Sequence, residues 1–495
     1  MVTFTPLLIF FLAAFTAADK LHPHVDFNDR DSSDEDWFSQ GYKYVQENAN
    51  LKENTKTAKN IIFFLGDGMS IATVTATRAY LGNENMQLAF EKFPYYGLSK
   101  TYCVDAQVPD SACTGTAFLC GVKSTFFGLG LTANVTGEQC SFSENDIAYS
   151  VLKWAQDAGK ATGIVTTARL TDATPAAAYS HVPSRLHEYD IGTCNPTTST
   201  FKDIADQLIN FGEGKNIKVA LGGGRRSFLP TSVVDEEGTS GFRQDGRNLI
   251  NEYLADRSRK GTAKYVWNRE QLNNIEASKT DYLLGLFEAD HMMFQLDVDA
   301  SGRNALEPYL AEMTKKAIEI LKKEKNGFFL LVEGGRIDHG HHANWPKKAM
   351  QEAVEFSKAV EVARSLLDDE DTLFVTTSDH SHVFTISGYP VRQNDILKTA
   401  GKGDDQLPYE TLSYGNGPGY YSTYTATGRR DITNDNFADI NRMHASSVPL
   451  SFETHAAEDV GVFAIGPWSH LFHGSYEQNT IPLAMAYAAK IGPYK

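Results

Sequence analysis

The sequence predicts an α/β protein: a central, mostly parallel sheet with helices on both faces. Three observations carry this. Continuous apolar runs of strand length recur at residues 61–65 (IIFFL), 328–332 (FFLLV) and 373–377 (LFVTT). Such runs, without polar alternation, suit strands covered on both faces. Stretches of helical character separate them. The runs also end in glycine together with acids or histidines, at the carboxyl ends of strands, where open α/β sheets bind ligands.

The chain has 495 residues, a 42% hydrophobic fraction and a formal net charge of −16. That suffices for a large core with insertions. The acidic balance excludes a nucleic-acid scaffold as main partner, because no basic stripe meets a phosphate backbone. It leaves small phosphate-bearing substrates open, since bound cations reverse the local sign of a site.

In chain order, residues 1–18 read as a secretory signal peptide, with an apolar run at 7–15 and small residues up to Ala18. A membrane anchor is the alternative, but the run is shorter than a bilayer span. Residues 19–57 read as an acidic arm followed by a helix carrying Trp37, Tyr44 and Val45. The C-terminus lacks a lipid-anchor pattern, so a secreted, extracellular product without a transmembrane helix is expected. In that compartment Cys140 and Cys194, in polar loop-like sequence, are the better disulfide pair. Cys113 and Cys120, in an apolar helical run, read as buried thiols. Asn134 opens a glycosylation sequon. Further strands fall at residues 162–167, 218–221 and 462–465. Two regions interrupt the rhythm: a polar one within 225–310, and 388–447, rich in Gly, Tyr, Thr, Asp and Asn.

The strand ends supply the chemistry. Asp67 follows the first run; Asp172 and Thr174 follow the strand at 162–167. Glu333, Asp338 and His342 follow FFLLV, Asp379, His380 and His382 follow LFVTT, and His455 precedes the last strand. Zinc takes imidazole nitrogen and carboxylate oxygen, while magnesium prefers oxygen alone. A single aspartate after a strand is more often a helix cap than a ligand. Several strands ending this way favour paired divalent ions, a known design for phosphoryl transfer. Ser111 opens an apolar helical run, where unpaired N–H groups and the helix dipole favour an anion. It is the candidate nucleophile, against the plainer reading of a helix cap. Arg185 is a candidate phosphate clamp.

The segments FFLGDGMS, VPDSACTGTAFLCGVK, TTARLTDATPAAAYSHVPSR, GLFEAD, FFLLVEGGRIDHGHH, TSDHSHVF, YGNGPGY and ETHAAEDVGVFAIGP together resemble the alkaline phosphatases, most closely their animal branch. The resemblance covers residues 58–495. It implies hydrolysis of phosphate monoesters through a phosphoserine on Ser111, with Arg185 holding phosphate. It implies one zinc on Asp338, His342 and His455, another on Asp67, Ser111, Asp379 and His380, and a magnesium on Asp67, Thr174 and Glu333. It further implies a calcium held by Phe287, Glu288 and Glu307, the fourth ligand coming from the run 235–237, with Glu236 chosen. A homodimer is implied, with 388–447 as a crown at its interface and Tyr389 reaching the neighbouring subunit.

Some positions depart from the family pattern. Asp172 is the bacterial choice and His339 the animal one, so the surroundings of the magnesium site are mixed. Phe452 replaces an acid at the pocket mouth of vertebrate members, and Cys113 replaces a small residue. A sulfatase is excluded, since no Cys-x-Pro-Ser-Arg segment is present. A diesterase relative would lack Thr174, Glu333 and Arg185. A binding protein without turnover would not need every ligand and the nucleophile intact.

Overall fold

The computed structural model describes residues 37–137 and 139–495. The expected signal peptide, and the acidic arm as far as residue 36, lie outside the described residues. The sheet has ten strands. They are β1 (Asn60–Gly66), β2 (Tyr95–Lys100), β3 (Ala161–Arg169), β4 (Val219–Gly223) and β5 (Ala263–Val266), then β6 (Tyr282–Leu286), β7 (Phe328–Gly334), β8 (Thr372–Thr377), β9 (Val460–Ile465) and β10 (Gly474–Glu477). Their spatial order is β10-β2-β9-β8-β1-β7-β3-β4-β6-β5. From β8 to β5 every pairing is parallel. Only β9 runs antiparallel to its neighbours.

The central strands are apolar throughout because both faces are covered. Ile61, Phe63 and Leu65 enter one core with Phe329, Leu331, Leu373 and Val375. Ile62 and Phe64, one residue out of step, enter a second core with Phe328, Leu330, Val332 and Phe374. The period of two sends alternate side chains to opposite faces. The first face receives the helices Ser111–Cys120 and Thr480–Ala489, the second Leu310–Leu321 and Pro346–Leu366. Phe63 meets Phe118 of the helix Ser111–Cys120 with ring centroids 5.5 Å apart, so the core places the helix that starts at Ser111.

The polar region 225–310 is joined to the sheet, to which it adds β5 and β6. Residues 388–447 form turns and short strands, with Leu412–Gly417 pairing Phe384–Ile386 and Ser446–Pro449. The helix Trp37–Ala49 buries none of its residues on this chain. Among the described residues no helix is long and apolar enough to cross a membrane.

Cys140 is bonded to Cys194. Cys120 keeps a buried free thiol. The reading of Cys113 as a thiol is corrected: it is bonded to Cys103. The apolar run hid that Cys113 sits in the first helical turn, where the incoming loop passes with a Cα–Cα distance of 5.7 Å.

Candidate active site

Four adjacent strands, β8, β1, β7 and β3, end at one place. Asp67 leaves β1 in a tight turn. Gly68 there has φ +67°, and a Cβ would lie 2.3 Å from His382 Nε2, so only glycine fits. The Gly68 N–H donates to Asp379 Oδ1 at 2.9 Å, locking the end of β1 to that of β8. His380 Nε2 lies 3.1 Å from Asp379 Oδ2, 3.6 Å from Asp67 Oδ1 and 3.2 Å from Ser111 Oγ. Ser111 is the first residue of its helix, capped by Asp110, whose Oδ1 accepts from Cys113 N.

A second cluster is centred on Asp338. Its Oδ1 lies 3.2 Å from His455 Nε2, and its Oδ2 lies 3.2 Å from His342 Nε2. Both rings commit Nδ1–H to backbone carbonyls, His342 to Glu453 O at 2.5 Å and His455 to Pro109 O at 2.8 Å. The two Nε2 atoms then face each other at 3.1 Å. Two neutral rings so placed oppose lone pairs, a contact that only positive charge relieves. Burial holds His455 down near 4, whereas Asp338 raises His342 against the pull of burial.

At the magnesium candidates, Thr166 donates to Glu333 Oε2. Burial first, then the charges of Asp172 and Asp379, push the Glu333 carboxyl up to about 8. Burial and the neighbouring carboxylates likewise push Asp67 well above its usual range. Asp67 Oδ1, Asp379 Oδ2 and Thr174 Oγ1 are buried without a hydrogen-bond partner among the described residues. Buried polar atoms are normally satisfied. Orphaned oxygens among crowded carboxylates, beside imidazoles with free nitrogens, fit divalent cations.

Arg185 is held on both arms, by Asp172 Oδ1 at 2.7 Å and Asp110 Oδ2 at 3.3 Å. Burial opposes the Asp172 charge, but Arg169 and Arg185 keep its carboxyl well below the usual range. The His339 ring lies against His291, with centroids 4.2 Å apart. Ser111, Arg185, Asp338, His342 and His455 line one cleft of about 640 Å³. Phe126, Leu186 and Phe452 are exposed at its mouth, Phe452 stacked on His342 at 3.8 Å.

Two residues gain a place that the sequence alone did not give them. His382 is buried between Glu453 Oε2 at 2.6 Å and Asp338 Oδ1 at 2.8 Å. Burial disfavours its charge, yet the two carboxylates push it up to about 10. Its signal was the SDHSH spacing, which alone gave it no role. His291 carried no motif at all. His341 is buried and structural, bonded to Thr73 Oγ1 at 2.9 Å and to Tyr414 Oη at 3.0 Å.

The calcium candidates are divided. Burial and then the charge of Glu237 raise the Glu288 carboxyl, while burial and then the charge of Glu288 push Glu307 up to about 8. Arg303 bridges Glu288 and Glu237, at 2.6 and 2.5 Å. Glu236 is partly exposed and lies 3.5 Å from Arg225. Phe287 is buried and Asn134 is exposed.

Strand ends that converge on carboxylates and imidazoles around a capped serine define a metal-dependent hydrolase. The family profile described as alkaline phosphatase matches residues 58–491. The membrane-bound alkaline phosphatase of Bombyx mori is 46% identical over 462 residues, 90% of this chain and 83% of its own. The tissue-nonspecific isozyme of Gallus gallus is 45% identical over 481 residues, 94% of this chain and 91% of its own. The crystal structure of Thermus thermophilus alkaline phosphatase shares the fold, with a TM-score of 0.65 at 24% identity, over 89% of this chain and 93% of that one. The chain therefore belongs to the alkaline phosphatase family.

Proposed function

We propose that this protein hydrolyses phosphate monoesters at alkaline pH through a phosphoserine at Ser111, releasing an alcohol and inorganic phosphate. The observation that carries this is the facing pair of His342 and His455 Nε2 atoms beside Asp338, in the same cleft as Ser111 and Arg185. Asp338, His342 and His455 would hold one zinc; Asp67, Asp379 and His380, with Ser111, the other. Asp67, Thr174 and Glu333 would hold magnesium. Zinc supplies Lewis acidity, which lowers the pKa of a nearby hydroxyl and offsets charge on a leaving oxygen.

The remaining steps belong to the chain's own side chains. Arg185 takes the phosphate oxygens through parallel N–H bonds, its orientation kept by Asp110 and Asp172. Ser111 Oγ attacks phosphorus in line and the alcohol departs. Water then attacks the phosphoserine, returning Ser111 and freeing phosphate. No histidine–aspartate relay is required of Ser111. The cleft opens to solvent, so the site grips the phosphate and leaves most of the substrate outside; broad specificity follows.

We read the chain further as a secreted homodimer, glycosylated at Asn134, with Tyr389 of the crown directed at the second subunit. A calcium on Phe287, Glu288, Glu307 and the run 235–237 completes the reading; there Arg303 competes for the same carboxylates. The test is release of phosphate from p-nitrophenyl phosphate and from its diester analogue, with and without prolonged chelation. Monoester turnover that chelation abolishes supports the proposal. No monoester turnover, or turnover indifferent to chelation, sinks it.

A further inference from the structure

The disulfide Cys103–Cys113 closes a short ring of chain, and Ser111 lies inside it. The helix that Ser111 opens is buried over its whole length, so the core fixes its position. The other side of the ring differs. Residues 101–109 have no regular secondary structure, and Tyr102, Val104 and Val108 are exposed. Backbone bonds steady only the start of this loop, Cys103 N to Ala106 O and Val104 N to Ser124 O, both at 3.0 Å.

Yet the end of this loop serves three groups of the site. The Pro109 carbonyl accepts His455 Nδ1–H at 2.8 Å. Asp110 Oδ2 lies 3.3 Å from Arg185 Nη1. Asp110 Oδ1 accepts from Phe127 N at 3.1 Å and from Cys113 N at 3.2 Å, while Asp105 Oδ1 accepts from Phe126 N at 2.9 Å. An irregular segment, largely exposed through Val108 and buried at Pro109 and Asp110, thus orients an imidazole, a guanidinium and the cleft rim.

We propose that Cys103–Cys113 is a positioning cross-link for the phosphoryl-transfer site. It ties the loop to the first turn of the nucleophile helix and so fixes where the Pro109 carbonyl and the Asp110 carboxylate stand. Joining residues 10 apart removes most of the loop's freedom at its anchored end. Without it, His455 keeps its place in the chain but loses a fixed acceptor for Nδ1. The partner of a ligating histidine sets ring orientation and basicity. Both cysteines are buried, at 2% and 1% exposure, so the cross-link is shielded from thiol reagents. This inference rests on the roles proposed above for Ser111, Arg185 and His455.

The test compares the metal-loaded full chain with two double variants, Cys103→Ala/Cys113→Ala and Cys140→Ala/Cys194→Ala. The readouts are KM and kcat, the inhibition constant of inorganic phosphate, zinc retained on dialysis, amide exchange over residues 103–110, and the melting temperature. The first variant is expected to raise KM and the phosphate constant on the order of tenfold, to lose zinc faster and to exchange faster over the loop. The second is expected to melt lower with KM, phosphate constant and zinc retention unchanged. If the alanine pair does not fold, Cys103→Val/Cys113→Ala fills the space and carries the same expectation. A first variant that only melts lower, with binding and zinc as in wild type, overturns the positioning role. A wild-type chain without monoesterase activity overturns the functional reading itself, which the variants alone do not.

Discussion

Asp172 holds Arg185 at 2.7 Å through a carboxylate that two arginines keep charged. In the role proposed for Arg185, the guanidinium is therefore aimed before phosphate arrives. Arg185→Ala is expected to raise the inhibition constant of phosphate by about 2 kcal/mol, or roughly thirtyfold, the order of charge-assisted hydrogen bonds. Asp172→Asn keeps one acceptor and should give a smaller rise. Competition against a chromogenic monoester measures both.

Ser111 is not the cap of its helix; Asp110 is. Ser111→Ala should abolish the trapped phosphoenzyme while shifting the denaturation midpoint little. Asp110→Ala should cost about 1 kcal/mol of stability as a lost cap, and should also loosen Arg185. Acid-quench labelling beside urea melts separates the two. Equal loss of stability in both would contradict this division.

His382 lies between two buried carboxylates, which favour its charged form against the pull of burial. Its removal in His382→Ala leaves Glu453 and Asp338 uncompensated on that side. Breaking a buried pair from one partner costs about 3–5 kcal/mol. The variant should melt well below wild type and lose zinc on dialysis, as metal analysis would register.

Glu352, 4% exposed, accepts from Gln295 N and sits where burial pushes its carboxyl up to about 7. The sign follows from linkage. Between about 4.5 and about 7 the unfolded chain has released this proton and the folded chain retains it. Stability from this group therefore falls as pH rises through that window and is flat above it. Glu352→Gln should remove up to about 3 kcal/mol of that slope. Urea midpoints at pH 5 and 8 should converge in the variant; a slope equal to wild type would refute the assignment.

Chelation should lower the melting temperature as well as activity. Cations bound only to the folded chain stabilise it by mass action, and the carboxylates around Asp67 repel without them. Calorimetry before and after dialysis against chelator, then with zinc and magnesium restored, should show loss and recovery.

Much of this was legible in the chain because buried parallel strands write themselves as unbroken apolar runs. IIFFL, FFLLV and LFVTT announced β1, β7 and β8, and their ends announced Asp67, Glu333 and Asp379. What the sequence hid depended on distance. His291 reaches His339 from the loop after β6, with no spacing to link them. His382 needed Glu453, 71 positions away, before its charge made sense. Cys113 looked like core until its neighbour across the loop was known. The strands β5 and β6 were obscured by the polar surface of the region around them.

The order of the four site-forming strands sets a timetable for biosynthesis. Neighbours in space, they leave the ribosome as first, third, seventh and eighth strands of the sheet, and His455 comes later still. At typical elongation rates, Asp67 precedes His455 by on the order of tens of seconds. No nascent fragment ending before His455 can assemble the Asp338 cluster, so metal capture reports a finished fold rather than guiding an early one. The Cys103–Cys113 pair is local and can close long before, handing a preset turn around Ser111 to strands not yet made.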